Sequence, residues 1–484
     1  MNTYGTVAAV LDAVKPAAAV SSDRVRVTSP GAVTGEMIDR LAWTSVFGQD
    51  AELRGTARWL VRSLAATAGI RPASIQELYA AIGRGEAGGF TVPAFNIRTM
   101  AYDTARAVVR AANAVNAGAL IFEISRSEMG YTEQRPHEYA AVVLGAALRE
   151  RFTGPVFIQG DHVQTNAKKY NSPDRDQELN AVRALIREEL AAGFYNIDID
   201  ASTLVDLEKP TLDGQQAVNT SLAAELTAFV RAHEPAGVTV SVGGEIGEVG
   251  GRNSDVHELR AFMNGYTAAL KARGAGLSGI SKISVQTGTA HGGFVNPDGS
   301  VRADVNIDLK TLEDLSRVAR QEYGLAGAVQ HGASTLPPDA FDAFPRAGAC
   351  EIHLATDFQN IIYEHPRFPA DLKAEMYAWV REHATDERKP KDTEEQFIYR
   401  ARKKALGPFK SRLWGLDDEA RRAIGQSLEE RFSFLMKQLR VADTAGVVAT
   451  FVKPPQIPID REAEIVAAGG TITPSEKNAE GLAD

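Results

Sequence analysis

The chain has 484 residues, of which 44% are hydrophobic and 24% charged, a composition typical of a globular protein with a large buried core. Its formal net charge of −9 offers neither a basic surface for nucleic acid nor a polybasic patch for a membrane, so we expect neither partner. A single cysteine, Cys350, excludes both an intramolecular disulfide and a thiolate metal cage. Residues 1–20 lack the pattern of a signal peptide, and no stretch of about 18 apolar residues follows, so we expect a cytoplasmic location.

The chain divides into three predicted parts. Residues 1–75 show helical spacing of apolar side chains without a cluster of reactive groups, and we interpret them as an N-terminal helical extension. Residues 76–370 are interpreted as a catalytic domain, and residues 371–484 as a C-terminal helical segment and tail. This last part contains one long predicted helix over residues 417–440.

Eight short apolar runs lie in the middle part, and most are separated by stretches long enough for a helix. This alternation is typical of parallel βα units and predicts an α/β fold, a closed (β/α)8 TIM barrel. Chemistry in such a barrel sits at the carboxyl ends of the strands. The runs span residues 90–92, 119–122, 156–158, 195–197, 238–240, 283–285, 328–329 and 351–352.

Polar or acidic side chains follow each run, and three of these positions carry a candidate metal ligand. His162, His291 and His331 follow the third, sixth and seventh runs. Three imidazoles from separate strands with one open coordination position are typical of a catalytic zinc ion. Taken singly, a histidine is more often a hydrogen-bonded structural residue than a metal ligand, so the prediction depends on all three occurring at strand ends.

Glu245 follows the fifth run inside a glycine-rich stretch, residues 242–251. This stretch lacks the G-x-G-x-x-G pattern that opens a helix in dinucleotide-binding proteins, so it does not favour a dinucleotide site. The Glu245 carboxylate fits a general base or a second metal position, and the alternative is an ion pair at the barrel mouth.

At these residues the chain resembles the class II, metal-dependent fructose-bisphosphate and tagatose-bisphosphate aldolases. The resemblance extends from about residue 74 to residue 359. It rests on several motifs that occur in the family's order at the expected strand ends. They are Phe95-Asn96-Ile97, Asp161-His162, Gly244-Glu245-Ile246-Gly247, Gly288-Thr289-Ala290-His291-Gly292 and His331-Gly332-Ala333-Ser334.

The resemblance implies zinc or another divalent metal on His162, His291 and His331, with a monovalent cation as a further expected ligand. The metal would polarise a ketose carbonyl and stabilise the enediolate left after carbon–carbon cleavage. Asp161 would take the proton from the hydroxyl beside the breaking bond, and Glu245 would carry a proton at the enediolate or hold the metal in an alternative position. Asp200 aligns with an acid that some members use for a second metal.

The resemblance also implies a small-molecule sugar or sugar-phosphate substrate and a homodimer or homotetramer. Asn96 would contact the three-carbon ketone fragment, and the amides of Gly292 and Gly332 would bind phosphate with the hydroxyl of Ser334. The full set of expected substrate-binding residues is Asn96, Ser125, Gly292, Gly332, Ser334, His353, Ala355 and Thr356.

Four positions depart from the family's pattern near the expected substrate pocket, and one of them is Thr335, where the family has glycine after His331-Gly332-Ala333-Ser334. Where relatives have lysine and asparagine on the eighth strand, this chain has Glu351 and His353, which strand alternation places on one face. Glu123 stands where relatives often carry glutamine. Added acids near a phosphate site repel a doubly phosphorylated sugar, so we expect a substrate other than fructose 1,6-bisphosphate.

The predicted function is an aldehyde-lyase that cleaves or forms a carbon–carbon bond in a ketose phosphate or related sugar. Two alternatives remain open. One is a non-catalytic relative that serves as a partner or binding subunit, which the altered eighth strand favours. The other is a metal-dependent sugar epimerase or isomerase that uses the same enediolate chemistry and leaves the carbon chain intact.

Overall fold

A computed structural model describes residues 2–21, 24–247, 252–289, 295–300 and 307–469. The segment before the barrel contains helices and three short strands. Its second and third helices begin at capping side chains, where Thr34 accepts a hydrogen bond from the amide of Met37 and Asp50 from that of Leu53. The elements are α1 (Val7–Val14), β1 (Ala18–Val20), β2 (Val25–Val27), α2 (Gly35–Phe47), α3 (Ala51–Thr67), β3 (Arg71–Ala73) and α4 (Gln76–Gly83).

Eight parallel strands then form a closed barrel, which confirms the predicted (β/α)8 fold. Each strand pairs with the next along the chain, and the last strand pairs with the first. All residues of these strands are buried, as expected when helices cover a parallel sheet. The strands are β4 (Val92–Asn96), β5 (Ile121–Ser125), β6 (Pro155–Gln164), β7 (Asn196–Asp200), β8 (Ser241–Glu245), β9 (Lys282–Val285), β10 (Ala328–Gln330) and β11 (Glu351–Leu354).

Helices surround the barrel and alternate with its strands. They are α5 (Ala101–Ala114), α6 (Arg126–Tyr131), α7 (Pro136–Arg149), α8 (Ala167–Tyr170), α9 (Arg175–Ala192), α10 (Leu212–His233), α11 (Val256–Arg273), α12 (Leu309–Tyr323), α13 (Ala343–Ala347) and α14 (Thr356–Glu364). The chain continues through α15 (Ala370–His383), α16 (Glu394–Ala401), α17 (Lys410–Trp414), α18 (Asp418–Gln438), α19 (Ala445–Phe451) and α20 (Arg461–Gly469). The predicted long helix over residues 417–440 is therefore present as α18. No helix in the described ranges is long and apolar enough to cross a membrane.

The segments on either side of the barrel pack on it and on each other. Phe432 of α18 lies 4.9 Å from Phe95 of β4 and 4.6 Å from Phe358 of α14, measured between ring centroids. The indole nitrogen of Trp59 on α3 donates to the carbonyl of Ile459 at 3.1 Å, just before α20. The division at residues 75 and 370 stays a prediction, because both flanking segments contact the rest of the protein.

Several strand boundaries differ from the apolar runs in the sequence. The runs at residues 90–92 and 238–240 largely precede β4 and β8, so Asn96 and Glu245 are the last residues of strands rather than residues beyond them. Asp161 and His162 likewise lie within β6. A hydrophobic run underestimates such strands because polar side chains in the barrel interior are stabilised by one another.

Candidate active site and metal centre

A β-bulge in β6 brings two consecutive polar side chains to the same site. Gly160 and Val163 pair with residues of β7 that are only two positions apart, so β6 holds one extra residue there. His162 within this bulge has a φ of 38°, a left-handed conformation that costs a non-glycine residue roughly 1–2 kcal/mol. Adjacent side chains of a regular strand point to opposite faces. Here Asp161 Oδ1 lies 3.8 Å from His162 Nε2.

Two of the predicted metal-binding histidines face each other. His162 Nε2 lies 3.1 Å from His331 Nδ1, and both side chains are buried. The other ring nitrogen of His331 lies 3.0 Å from the hydroxyl of Ser284 on β9. Such a partner on the second nitrogen fixes the ring orientation of a metal-ligating histidine.

The third predicted ligand, His291, and the predicted phosphate contact Gly292 lie outside the described residues. The chain two residues before His291 is close to the other ligands, because the hydroxyl of Thr289 donates to the carbonyl of His331 at 2.7 Å. The structure thus brings His162 and His331 together, and the position of His291 stays a prediction.

A group of carboxylates lies on the other side of the His162 ring. His162 Nδ1 is 3.1 Å from Asp200 Oδ2 and 3.0 Å from Glu245 Oε1. Burial and the neighbouring Asp200 raise the pKa of Glu245 to about 7, although His162 opposes this. Burial alone would lower the pKa of His162, but Asp161 and Glu245 raise it well above its usual value. His162, Asp200 and Glu245 therefore form a second group that can hold a cation.

The donor set suits a divalent metal ion. His162 and His331 offer imidazole nitrogens, and Asp161 offers a carboxylate oxygen to the same group. Zinc binds nitrogen and oxygen at about 2.0–2.2 Å, so ligand atoms of one ion lie roughly 3–3.5 Å apart. The separation of 3.1 Å between the two histidine nitrogens fits this requirement.

The carboxylate of Glu128 organises the ends of β4 and β5. It accepts hydrogen bonds from Asn96 Nδ2 at 2.6 Å, from Arg98 Nε at 2.6 Å and from the amide of Ser125 at 2.7 Å. Ser125 completes a capping box with Glu128 at the start of α6. Asn96 and Ser125, both predicted from the sequence, are therefore held by one buried acid. The sequence interpretation missed Arg98, whose burial is not apparent in a run of loop residues.

The predicted phosphate contacts lie together at the ends of β10 and β11. The hydroxyl of Ser334 accepts a hydrogen bond from the amide of Ala355 at 2.7 Å. Gly332 has a φ of 67°, a backbone conformation that glycine adopts without strain. Arg98 Nη1 lies 3.5 Å from the hydroxyl of Thr356, so a guanidinium reaches this end of the site.

Glu351 and His353 both point into the barrel interior and contact each other. His353 Nε2 is 2.7 Å from Glu351 Oε1, and both residues are 0% exposed. The hydroxyl of Tyr79 on α4, the helix that precedes the first barrel strand, also donates to Glu351. His353 Nδ1 lies 2.9 Å from Oε2 of Glu123, another residue that departs from the family's pattern.

Lys282 on β9 neutralises part of the negative charge in this interior. The sequence interpretation did not identify this residue. Its ammonium donates to Glu351, to Asp198 Oδ2 at 2.9 Å and to Gln159 Oε1 at 2.8 Å. Burial alone would raise the pKa of Glu351, but Lys282 holds it well below its usual range. The sequence did contain a sign of this role. Lys282 lies two residues before Ser284 in an otherwise apolar strand, and that spacing places both side chains on the interior face.

The chain matches the family model described as Fructose-bisphosphate aldolase class-II over residues 76–411, which is more than half of its length. Among solved structures it is similar to a probable tagatose 6 phosphate kinase from Sinorhizobium meliloti 1021, at 20% identity and a TM-score of 0.51, with 78% of this chain and 97% of that chain covered. It is also similar to a fructose-bisphosphate aldolase from Campylobacter jejuni, at 17% identity and a TM-score of 0.44, with 77% of this chain and 97% of that chain covered. On the extent of the family match, the chain belongs to the class-II fructose-bisphosphate aldolase family.

Proposed function

We propose that this protein is a metal-dependent aldolase that cleaves or forms a carbon–carbon bond in a ketose phosphate or related sugar. The observation that supports this most is the bulge in β6, which brings Asp161 and His162 to one site beside His331. A carboxylate next to facing imidazoles provides a proton acceptor beside a metal position, and both are needed to break a bond next to a carbonyl.

His162, His291 and His331 would hold a divalent ion, with Asp200 and Glu245 as an alternative or second position. When bound, the ion would polarise the ketone and favour negative charge on its oxygen. An imidazole must be neutral to bind a metal ion. The neighbouring carboxylates would orient the rings, and the imidazole nitrogens would remain the principal metal ligands.

Asp161 and Glu245 would move the protons. Asp161 is buried beside His162 and would accept the proton of the hydroxyl next to the breaking bond. Glu245, whose pKa is raised to about 7, can both give and take a proton near neutral pH. Glu245 would therefore exchange a proton with the carbon that is protonated when the three-carbon fragment is released and deprotonated when it is bound.

Asn96, Ser334 and Thr356 would position the substrate. Asn96 is held by Glu128, so its amide is already oriented before a ketone fragment binds. The amide of Ala355 donates a hydrogen bond to the hydroxyl of Ser334. Both groups would turn toward an anionic group of the substrate. Arg98 supports this end with a positive charge beside Thr356.

The substrate would differ from fructose 1,6-bisphosphate at its ketone end. In relatives an asparagine holds this part of the substrate, whereas His353 here is engaged by Glu351 and lies close to Glu123. A neutral amide donor and acceptor is thus replaced by a ring surrounded by acids. A second phosphate near these acids would be repelled.

A screen of ketose monophosphates, ketose bisphosphates and unphosphorylated ketoses tests the proposal. The zinc-loaded protein should release an aldehyde from one of them, detected with a coupled reductase or a carbonyl reagent. A product with an intact carbon chain would instead support an epimerase or isomerase. Purified protein that takes up no divalent metal and turns over no ketose would support a non-catalytic binding subunit.

A further inference from the structure

Three of the residues that depart from the family's pattern, Glu123, Glu351 and His353, are neighbours in the barrel interior. His353 lies between the other two, with Nδ1 2.9 Å from Glu123 Oε2 and Nε2 2.7 Å from Glu351 Oε1. They come from β5 and β11, so their proximity is a property of the closed barrel. Together they turn a pocket that relatives line with a lysine and two amides into one with two acids and an imidazole.

This interior carries more negative than positive charge. Lys282 donates to Asp198 and Glu351 and thereby offsets part of that charge. Glu123 and Asp161 receive no hydrogen bond from Lys282 among the bonds of the described residues, and the group that faces both is the imidazole of His353. Buried carboxylates require a paired cation, a proton or a metal ion.

Three ligand atoms converge beside His353. Its Nδ1 lies 2.9 Å from Glu123 Oε2 and 3.2 Å from Asp161 Oδ1. A ring N–H can point along one direction only, and here it is aligned for a hydrogen bond with neither oxygen. The remaining oxygen of Glu123, Oε1, has no hydrogen-bond partner among the described residues, although the side chain is 0% exposed.

We propose that Glu123, Asp161 and His353 form a second binding site for a divalent transition metal such as zinc. One imidazole nitrogen and two carboxylate oxygens are donors that zinc accepts, and ligand atoms of one zinc ion lie roughly 3–3.5 Å apart. The two distances from His353 Nδ1 fit this spacing. The glutamine and asparagine of relatives are weak ligands, so the site is specific to this chain's residues.

The second ion would place a positive charge where the interior lacks one and would fix the orientation of Asp161. Asp161 Oδ1 is also 3.8 Å from His162 Nε2, so its carboxylate lies between the two metal positions. Binding at this site does not depend on turnover. Its use in orienting Asp161 rests on the proposed aldolase function.

Counting zinc per chain in matched variants tests the second site. After loading and dialysis, Glu123→Gln/His353→Asn should hold one equivalent less than the unchanged protein, measured by elemental analysis. His162→Ala, which removes the shared ligand of the other two positions, should keep one equivalent. Adding the Glu123→Gln/His353→Asn pair to that variant should remove it.

Glu189→Gln/His137→Asn is the matched control. It makes the same chemical changes at two buried residues outside the interior, Glu189 on α9 and His137 on α7, and should leave the zinc count unchanged. If Glu123→Gln/His353→Asn binds as much zinc as the unchanged protein, the proposal is wrong, and His353 is a protonated partner of the acids. If His162→Ala fails to fold, the zinc content of Glu123→Gln/His353→Asn relative to the unchanged protein is sufficient to test the proposal. The number of zinc equivalents per chain is measured without any activity assay. A failure of the proposed aldolase function is therefore distinguishable from a failure of the second metal site.

Discussion

The ammonium of Lys282 on β9 donates to the carboxylate of Glu351 on β11, across the intervening strand β10. The family's lysine on the eighth strand is thus absent from position 351, while a lysine from the sixth barrel strand supplies a cation to the same interior. Lys282 also reaches Asp198, so one buried charge serves two acids.

Replacing Lys282 should strongly destabilise the fold. Lys282→Met leaves Asp198 and Glu351 buried without their common cation, and removing one partner of a buried ion pair costs about 3–5 kcal/mol. We expect the free energy of unfolding, from urea denaturation, to fall by about that amount. Lys310→Met is the control, because Lys310 pairs with Asp314 on the surface and such exposed pairs contribute little to stability. Equal losses in both variants would contradict the assigned role of Lys282.

Asp161→Asn should separate proton transfer from metal binding. The amide cannot accept the substrate's proton, so turnover should drop by roughly 10²–10⁴-fold, the usual contribution of a positioned acid–base group. The ion on the histidines should remain, because His162 and His331 are unchanged. The measurement is kcat with zinc content on the same sample, in which the equivalent on the histidines should be retained even if the proposed second site, which includes Asp161, is lost. Turnover equal to that of the unchanged protein would rule out Asp161 as the proton acceptor.

Zinc binding to the metal-free protein should release a proton from His162 at neutral pH. Burial opposes protonation, but Asp161 and Glu245 raise the pKa of His162 well above its usual value, and a ligand must be neutral. Zinc affinity should therefore increase with pH up to that raised pKa. The stabilisation from protonated His162 is present below its unfolded pKa of about 6.5 and is lost as pH rises through the folded value.

Calorimetric titrations of zinc at neutral pH, in buffers with different ionisation enthalpies, measure the number of protons released. His137→Asn is a control, because His137 pairs with Glu464 away from the metal groups. A binding enthalpy that does not depend on the buffer would contradict this prediction.

Restoring the family's residues at the eighth strand should require a change at Lys282 as well. Glu351→Lys alone would place two ammonium groups in one buried space, since Lys282 already contacts Glu351. Glu351→Lys/His353→Asn/Lys282→Gln removes this clash and should shift kcat/KM toward fructose 1,6-bisphosphate on the order of 10-fold. The ratio of kcat/KM values for this sugar and the protein's preferred ketose is the measurement. Efficient cleavage of fructose 1,6-bisphosphate by the unchanged protein would contradict the expectation.

The sequence by itself determined the barrel and predicted which side chains meet at its mouth. Parallel strands separated by helices can bury their apolar faces in only a few arrangements. The regular alternation of apolar runs with helix-length stretches therefore predicted the fold. Because the carboxyl ends of those strands meet at one rim, Asp161, His162 and His331 were expected to lie together. In the structure His162 Nε2 lies 3.1 Å from His331 Nδ1 and 3.8 Å from Asp161 Oδ1, and the roles of these residues stay predictions.

Only the tertiary structure decided how the interior charges combine. The bulge that turns Asp161 and His162 to one side depends on the pairing of β6 with β7, which no local pattern reveals. The contacts of Lys282 with Glu351, and of His353 with Glu123, join residues more than 60 positions apart. Burial makes each of these charges depend on its neighbours, and neighbours across a closed barrel are fixed by register and closure rather than by sequence spacing.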